Sequence, residues 1–169
     1  MSFRISPHKS DCVVVVDSRE QRPWSLNPLP TEPGTLTTGD YALRDFPNEV
    51  AIERKELSDF VACCGHGRDR FQRELERLKG YRSHAVIIEA SWHELAAGEW
   101  RSKLKPQTVL RSLSSWMSAG SLILPAGDRA MAERIARSML WFAYKHRVEP
   151  VRRIIKQDLT RRVRLGHNK

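Results

Sequence analysis

The stretch from Glu49 to Lys55 constrains this chain more than any other. On a strand, alternate side chains share a face about 7 Å apart, so Glu53 and Lys55 project together while Val50 and Ile52 point the other way into a core. A carboxylate and an ammonium therefore stand beside apolar interior on one strand. The surrounding chain has to supply a second strand on that side and an apolar layer beneath.

Both are legible. Val13 to Val16 is a β-branched run that reads as a buried strand carrying Asp17 at its end. Pro23, Pro28, Pro30, Pro33 and Gly34 mark a surface loop from Pro23 to Gly34. A strand from Thr35 to Leu43 then pairs with Glu49 to Lys55 as a hairpin, with Asp45, Pro47 and Asn48 in the turn. Helices are expected over Leu57 to Cys64 and Arg68 to Lys79, the second with Phe71, Leu75 and Leu78 on one face and Gly80 at its end. Beyond them, His84 to Ala90 and Leu122 to Leu124 read as strands, and Leu104 to Ala119 and Asp128 to His146 as helices. This alternation predicts an α/β fold, a mixed central sheet flanked by helices.

With 169 residues, 40% of them hydrophobic, the chain has material for one core. That core is expected in residues 1–146, with 147–169 as a basic tail. The tail holds eight basic residues against Glu149 and Asp158, and Val151, Ile155, Leu159 and Val163 recur in it at about helical spacing. Lys and Arg outnumber Asp and Glu by 29 to 20, a net charge of +9 that favours a polyanionic partner. Cys12, Cys63 and Cys64 match neither a disulfide framework nor a zinc site, and Cys63 and Cys64 read as small buried hydrophobes. No apolar run approaches the roughly 18 residues that span a bilayer, so a cytoplasmic protein without a membrane partner is expected.

The chemistry lies in the hairpin. If the neighbouring strand sets Asp40 beside Glu53, two carboxylates at about 4 Å repel by roughly 4 kcal/mol at an effective dielectric near 20. A cation offsets that repulsion, and Mg²⁺ suits it because it takes oxygen ligands from one or two carboxylates and shares its other positions with water and phosphate. Lys55 then sits where an ammonium orients a water or stabilises charge on a phosphate oxygen.

Gly39-Asp40-Tyr41, then Ile52-Glu53-Arg54-Lys55, then Asp59 resemble the signature of the XPF nuclease family, within the restriction-endonuclease-like superfold. Val16-Asp17-Ser18-Arg19-Glu20 resembles that family's strand-end acidic motif, and Gly67-Arg68 with Gln72 its helix start. The resemblance covers roughly Val13 to His146 and implies a Mg²⁺- or Mn²⁺-dependent DNA endonuclease. It implies Asp40, Glu53 and Asp17 as metal-site acids, the Arg54 carbonyl as a further ligand, Lys55 as the catalytic lysine and Glu20 as part of the acidic site. Arg19, Arg68 and Gln72 are implied to hold nucleic acid, and Asp59 to support geometry. Branched or flapped DNA, in repair, recombination or phage DNA processing, is the implied substrate. A homodimer, or a heterodimer with a related chain, is the implied assembly, with the helix from Met131 to Tyr144 as its candidate interface. No tandem helix-hairpin-helix region, usual in members that cut branched DNA, is expected within these 169 residues.

Each piece alone has a plainer reading. Asp17 with Glu20 is commonly a turn or helix cap, Glu-Arg-Lys a solvated edge strand, and Asp59 an acid favoured by a helix dipole. Arg68, Arg70, Arg73 and Arg77, with Glu74 and Glu76, equally fit a salt-bridged face or a phosphate contact. Trp92, Trp100, Trp116 and Trp141 are expected in the core or an interface, and His66, His84 and His93 have no metal-ligand spacing. The rival to an enzyme is a catalytically silent DNA-binding subunit that positions a partner nuclease; a third reading is an RNA-associated basic protein.

Overall fold

The computed structural model describes residues 7–166; the side chains of residues 159, 160 and 162–166 lie outside that description. A six-stranded mixed sheet forms the middle layer, in the order β2-β1-β3-β4-β5-β6. Its strands are β1 (Val14–Asp17), β2 (Thr31–Gly34), β3 (Tyr41–Leu43), β4 (Val50–Glu56), β5 (Ser83–Glu89) and β6 (Ile123–Pro125). The expected hairpin is present: β3 and β4 run antiparallel, with Tyr41 opposite Ile52. β4, β5 and β6 are mutually parallel, and β1 pairs antiparallel to β3 and parallel to β2.

Period-two alternation along β4 feeds two cores. Val50 and Ile52 join Val14, Tyr41, Leu43 and Ile87 on the face covered by α5 (Arg129–Gly166). Ala51 joins Val86 and Ile88 on the other face, covered by α1 (Leu57–Cys64), α2 (Arg68–Lys79), α3 (Trp92–Ala97) and α4 (Pro106–Ser118). Phe71, Leu75 and Leu78 are the buried stripe of α2, as their spacing predicts, and all three cysteines are buried free thiols.

Three elements differ from the sequence reading. The Pro-rich segment is not all loop, because Thr31–Gly34 forms β2; it is an edge strand, where Pro33 needs no ladder partner for its missing N–H. The strand expected from Thr35 begins only at Tyr41. The helix expected to end at His146 continues to Gly166 through Pro150, and nothing breaks the backbone between residues 146 and 147. Arg147 explains the continuation: its side chain is 6% exposed, with Nε donating to Glu49 at 2.7 Å and Nη2 to the Glu49 carbonyl at 3.1 Å. Asp128 caps the start of α5 through the Met131 amide, and Arg129 reaches the carbonyls of Arg22 and Pro23.

α5 thus starts beside the C-terminal ends of β4 and β5 and passes their beginnings at Arg147. Val151 and Ile155 are exposed along its final part, and Leu159 and Val163 lie outside the described side chains. Within the proposed interface segment, Ala132, Ala136, Leu140, Ala143 and Tyr144 are consumed by the chain's own core, leaving Met131 and Phe142 exposed. No described helix is long and apolar enough to cross a membrane.

Candidate active site

At the C-terminal end of β4 the sheet opens into a cleft of about 480 Å³ lined by Asp17, Glu20, Asp40, Glu53, Lys55 and Asp59, with Arg19, Arg54, Glu74 and Arg77 among its other walls. Extending the Tyr41–Ile52 register by one residue puts Asp40 opposite Glu53. Asp40 holds that place with two hydrogen bonds: its amide donates to the Ile52 carbonyl at 2.8 Å, and its Oδ2 accepts the Arg54 amide at 2.7 Å. The side chain thereby continues a ladder that the backbone of β3 has left.

Gly39 makes the approach possible. It sits at φ +76°, and a Cβ there would lie 3.0 Å from the Ile52 carbonyl oxygen. Gly39→Ala is therefore expected to destabilise the fold by about 1–2 kcal/mol, the cost of a left-handed conformation for an L-residue. Urea denaturation checks it, and an unchanged midpoint would refute this role for Gly39.

Glu53 and Lys55 share the α1/α2 face of β4. Their side chains form a direct ion pair, and the Lys55 ammonium lies 5.6 Å from the centre of the Phe71 ring. Burial pushes the Glu53 carboxyl up to about 7, with Lys55 opposing the rise and Asp40 and Glu74 adding to it. Asp40 is raised to about 6, again chiefly by burial, with Glu20 and Glu74 adding to the rise. For Lys55 burial acts downward, but Glu53 and Asp40 outweigh it and the ammonium is held above its ordinary range. Two acids that resist ionisation thus face a lysine that stays charged.

The other predicted residues divide. Asp17 lines the cleft, yet its two oxygens accept from the Arg19 amide, Arg19 Nε and Nη2, and the Leu36 amide, all at 2.8 Å. With both oxygens engaged, it ties the end of β1 to the segment leading into β3, and its carboxyl lies well below the ordinary range, chiefly through the Arg19 hydrogen bond. That differs from the metal-ligand role implied by the resemblance. Arg19 is exposed at the rim, and Asp59 stands in the first turn of α1, where helix dipole and cleft both act on it. Glu20 turns toward Arg54 at 3.3 Å.

Arg68 and Gln72 are not in the cleft. Arg68 stacks on Trp116 at 5.0 Å and donates to Ser112 Oγ at 2.5 Å, while Gln72 accepts from Trp116 Nε1 at 2.6 Å. Both pin α2 to α4, and neither lines the cleft.

Arg54 does more than its backbone suggests. Its guanidinium, 7% exposed, binds Glu56 at 2.6 Å and Glu89 at 2.8 Å as well as Glu20, and Trp24 and Arg129 also reach Glu89. Glu56, Glu74 and Glu89 were not singled out as site residues. Glu74 is the most readable of them, because it directly precedes buried Leu75 and follows Phe71 by three, on the flank of the buried stripe. Among the described residues, no three His, Cys, Asp or Glu side chains already form a metal-binding group. Asp40 and Glu53 each engage one oxygen within the chain, through the Arg54 amide and the Lys55 ammonium.

Buried carboxylates and a lysine brought to one strand end of a mixed sheet are the layout of a nuclease domain. Residues 16–136 match the ERCC4 domain, and the chain belongs to that family, with a domain of the XPF nuclease type. Its fold is similar to that of XPF from Aeropyrum pernix, with a TM-score of 0.61 and 21% sequence identity over 78% of this chain and 61% of that one. The chain therefore spans about three fifths of that relative. No curated protein matches it at a significant level.

Proposed function

We propose that the chain is a Mg²⁺- or Mn²⁺-dependent DNA endonuclease acting on branched or flapped DNA in repair, recombination or phage DNA processing. The observation that carries this reading is the pairing of Asp40 with Glu53 in one cleft with Lys55, both acids pushed upward by burial with few neutralising partners. Such a pair fits a hard dication, which favours the charged form of both carboxylates. Asp40 and Glu53 would hold the ion, joined by the Arg54 carbonyl as the family resemblance implies. Bound there, it would polarise the phosphate and make a water nucleophilic near neutral pH.

The chain's own residues do the rest. Lys55 holds a proton throughout the neutral range and presents its ammonium to a water or to a phosphate oxygen on which charge accumulates. Phe71 beneath it limits the positions the ammonium can take. Glu20 and Glu74 add negative potential that strengthens the demand for a cation. Asp17 and Arg54 fix the two chain segments that frame the cleft. The net charge of +9 draws DNA to the molecule over distances of a Debye length, about 8–10 Å. A second copy, or a related chain, completes the assembly in this reading.

The test is a panel of flap, fork, Holliday-junction and linear duplex DNA, each with and without divalent metal. Strand scission of at least one branched substrate with Mg²⁺ or Mn²⁺, and none in EDTA, is expected. Failure to cut any of the four with either metal would refute catalysis on them.

A further inference from the structure

A second cleft, of about 630 Å³, adjoins the first, walled by the start of α1, the end of β5 and the loop that follows α3. The two clefts share Arg22 and Glu56, whose side chains pair at 2.8 Å. Their linings differ in kind. Charged and hydroxyl side chains make up nearly all of the first, whereas the second, beside Arg22, Glu56, Glu89, Glu99 and Arg101, has an apolar, aromatic wall of Leu57, Val61 and Trp100.

That wall is fixed in advance. Trp100 Nε1 donates to the Leu104 carbonyl at 2.8 Å, which sets the indole's orientation while leaving the ring half-buried. Gly98 turns the chain into this loop at φ +76°, and a Cβ there would meet Pro106 at 2.2 Å, so the loop is packed directly onto the start of α4. Trp100 was expected in a core or an interface; it packs at the margin of the α1/α2 core and also lines the cleft.

A DNA strand has the same two-part character, since each phosphate adjoins a flat, largely apolar base with hydrogen-bonding edges. Arg22 and Glu56, common to both linings, mark where the two clefts meet. We infer that the second cleft receives the unstacked base of the nucleotide adjoining the scissile phosphate, against Trp100 and Leu57, with Ser58 and Ser102 available to its polar edge. This rests on the DNA-endonuclease reading above. Aromatic walls accept any base face, so the site selects for an unpaired nucleotide rather than for a sequence. Preference for a fork or flap over intact duplex then follows, because there the base is already free of its partner.

The experiment uses the full chain and a forked DNA carrying 2-aminopurine at the nucleotide on either side of the mapped cut, or of the junction if no cut occurs. Binding is read in Ca²⁺ and cleavage in Mg²⁺. Wild type is expected to change the probe's fluorescence at one of the two positions, and Trp100→Ala to remove that change and raise KM about 10-fold with kcat little altered. Trp100→Phe restores most of both. A second measurement needs no variant: an abasic nucleotide at the responding position raises the wild-type KM to a similar extent, and adds nothing further in Trp100→Ala. Equal KM for abasic and intact forks, or a fluorescence change that persists in folded Trp100→Ala, overturns the inference. The fluorescence arm does not require cutting, so a protein that binds but never cleaves defeats the nuclease reading while the probe still decides whether the cleft takes a base.

Discussion

Lys55→Ala is expected to slow DNA cleavage by about 10²- to 10³-fold, the scale of losing one positioned electrostatic donor at a reacting centre. DNA affinity should change little. The ammonium is only 16% exposed and already paired with Glu53, so it contributes a small share of the diffuse attraction from nine excess positive charges. Removing one phosphate contact lowers the salt slope of binding by about 0.9, and Lys55 should not reach even that. Asp40→Asn and Glu53→Gln are expected to lower the rate at least as far, since each removes a charge that the proposed ion requires. Single-turnover cleavage beside gel-shift titration separates the two effects. If all three variants cut as fast as wild type, the chemistry lies elsewhere in the molecule. If wild type itself binds forks without cutting in any divalent metal, the silent DNA-binding subunit is the better account. In that event the buried pair would be a remnant without a reaction.

The hairpin was legible because the apolar run Val50 to Ile52 turns charged at Glu53 and β3 precedes it by one short turn, which brings Asp40 within reach of Glu53 though it leaves the exact register open. What the sequence could not carry was long-range register. The link from Arg54 to Glu89 spans 35 positions and depends on β4 and β5 pairing in parallel with Glu56 opposite Glu89. No local periodicity encodes that alignment. The packing of Arg68 and Gln72 is hidden from the sequence for a related reason: both lie on the flank of α2 that turns to Trp116, and only the placement of α4, some 44 positions on, reveals it. The six-residue helix α3 is also legible in the sequence. Ser91 and Glu94 form a capping box, a signal readable at four residues' length. Edge strand β2 was hidden by its own Pro33, because proline argues against a strand except where the sheet ends.

The same buried acids fix how the metal-free protein responds to pH. Asp40 and Glu53 have folded-state values raised to about 6 and about 7, above those of an unfolded chain near 4. Groups raised in this way contribute stability that is fully present below about pH 4 and is lost as pH climbs through 6 and 7. Asp17 and Glu89 act oppositely: their carboxyls are lowered in the fold, so what they contribute is present above the unfolded value and fades only in acid. The two trends place greatest stability in EDTA near pH 4, with a decline through pH 5 toward pH 8. Asp40→Asn keeps an oxygen to accept the Arg54 amide but cannot ionise, so it should gain about 3 kcal/mol over wild type at pH 8 and roughly half of that at pH 5. In a chain of this length the gain at pH 8 corresponds to roughly 6–12 °C in melting temperature. Mg²⁺ should restore wild type at pH 8 by binding the ionised pair, and should do far less for Asp40→Asn. Thermal melts of both proteins at the two pH values, with EDTA or Mg²⁺, supply every comparison. A wild type whose melting point in EDTA is the same at pH 5 and pH 8, with no gain from Asp40→Asn, would mean that these carboxylates are already neutralised within the chain and have no need of a cation.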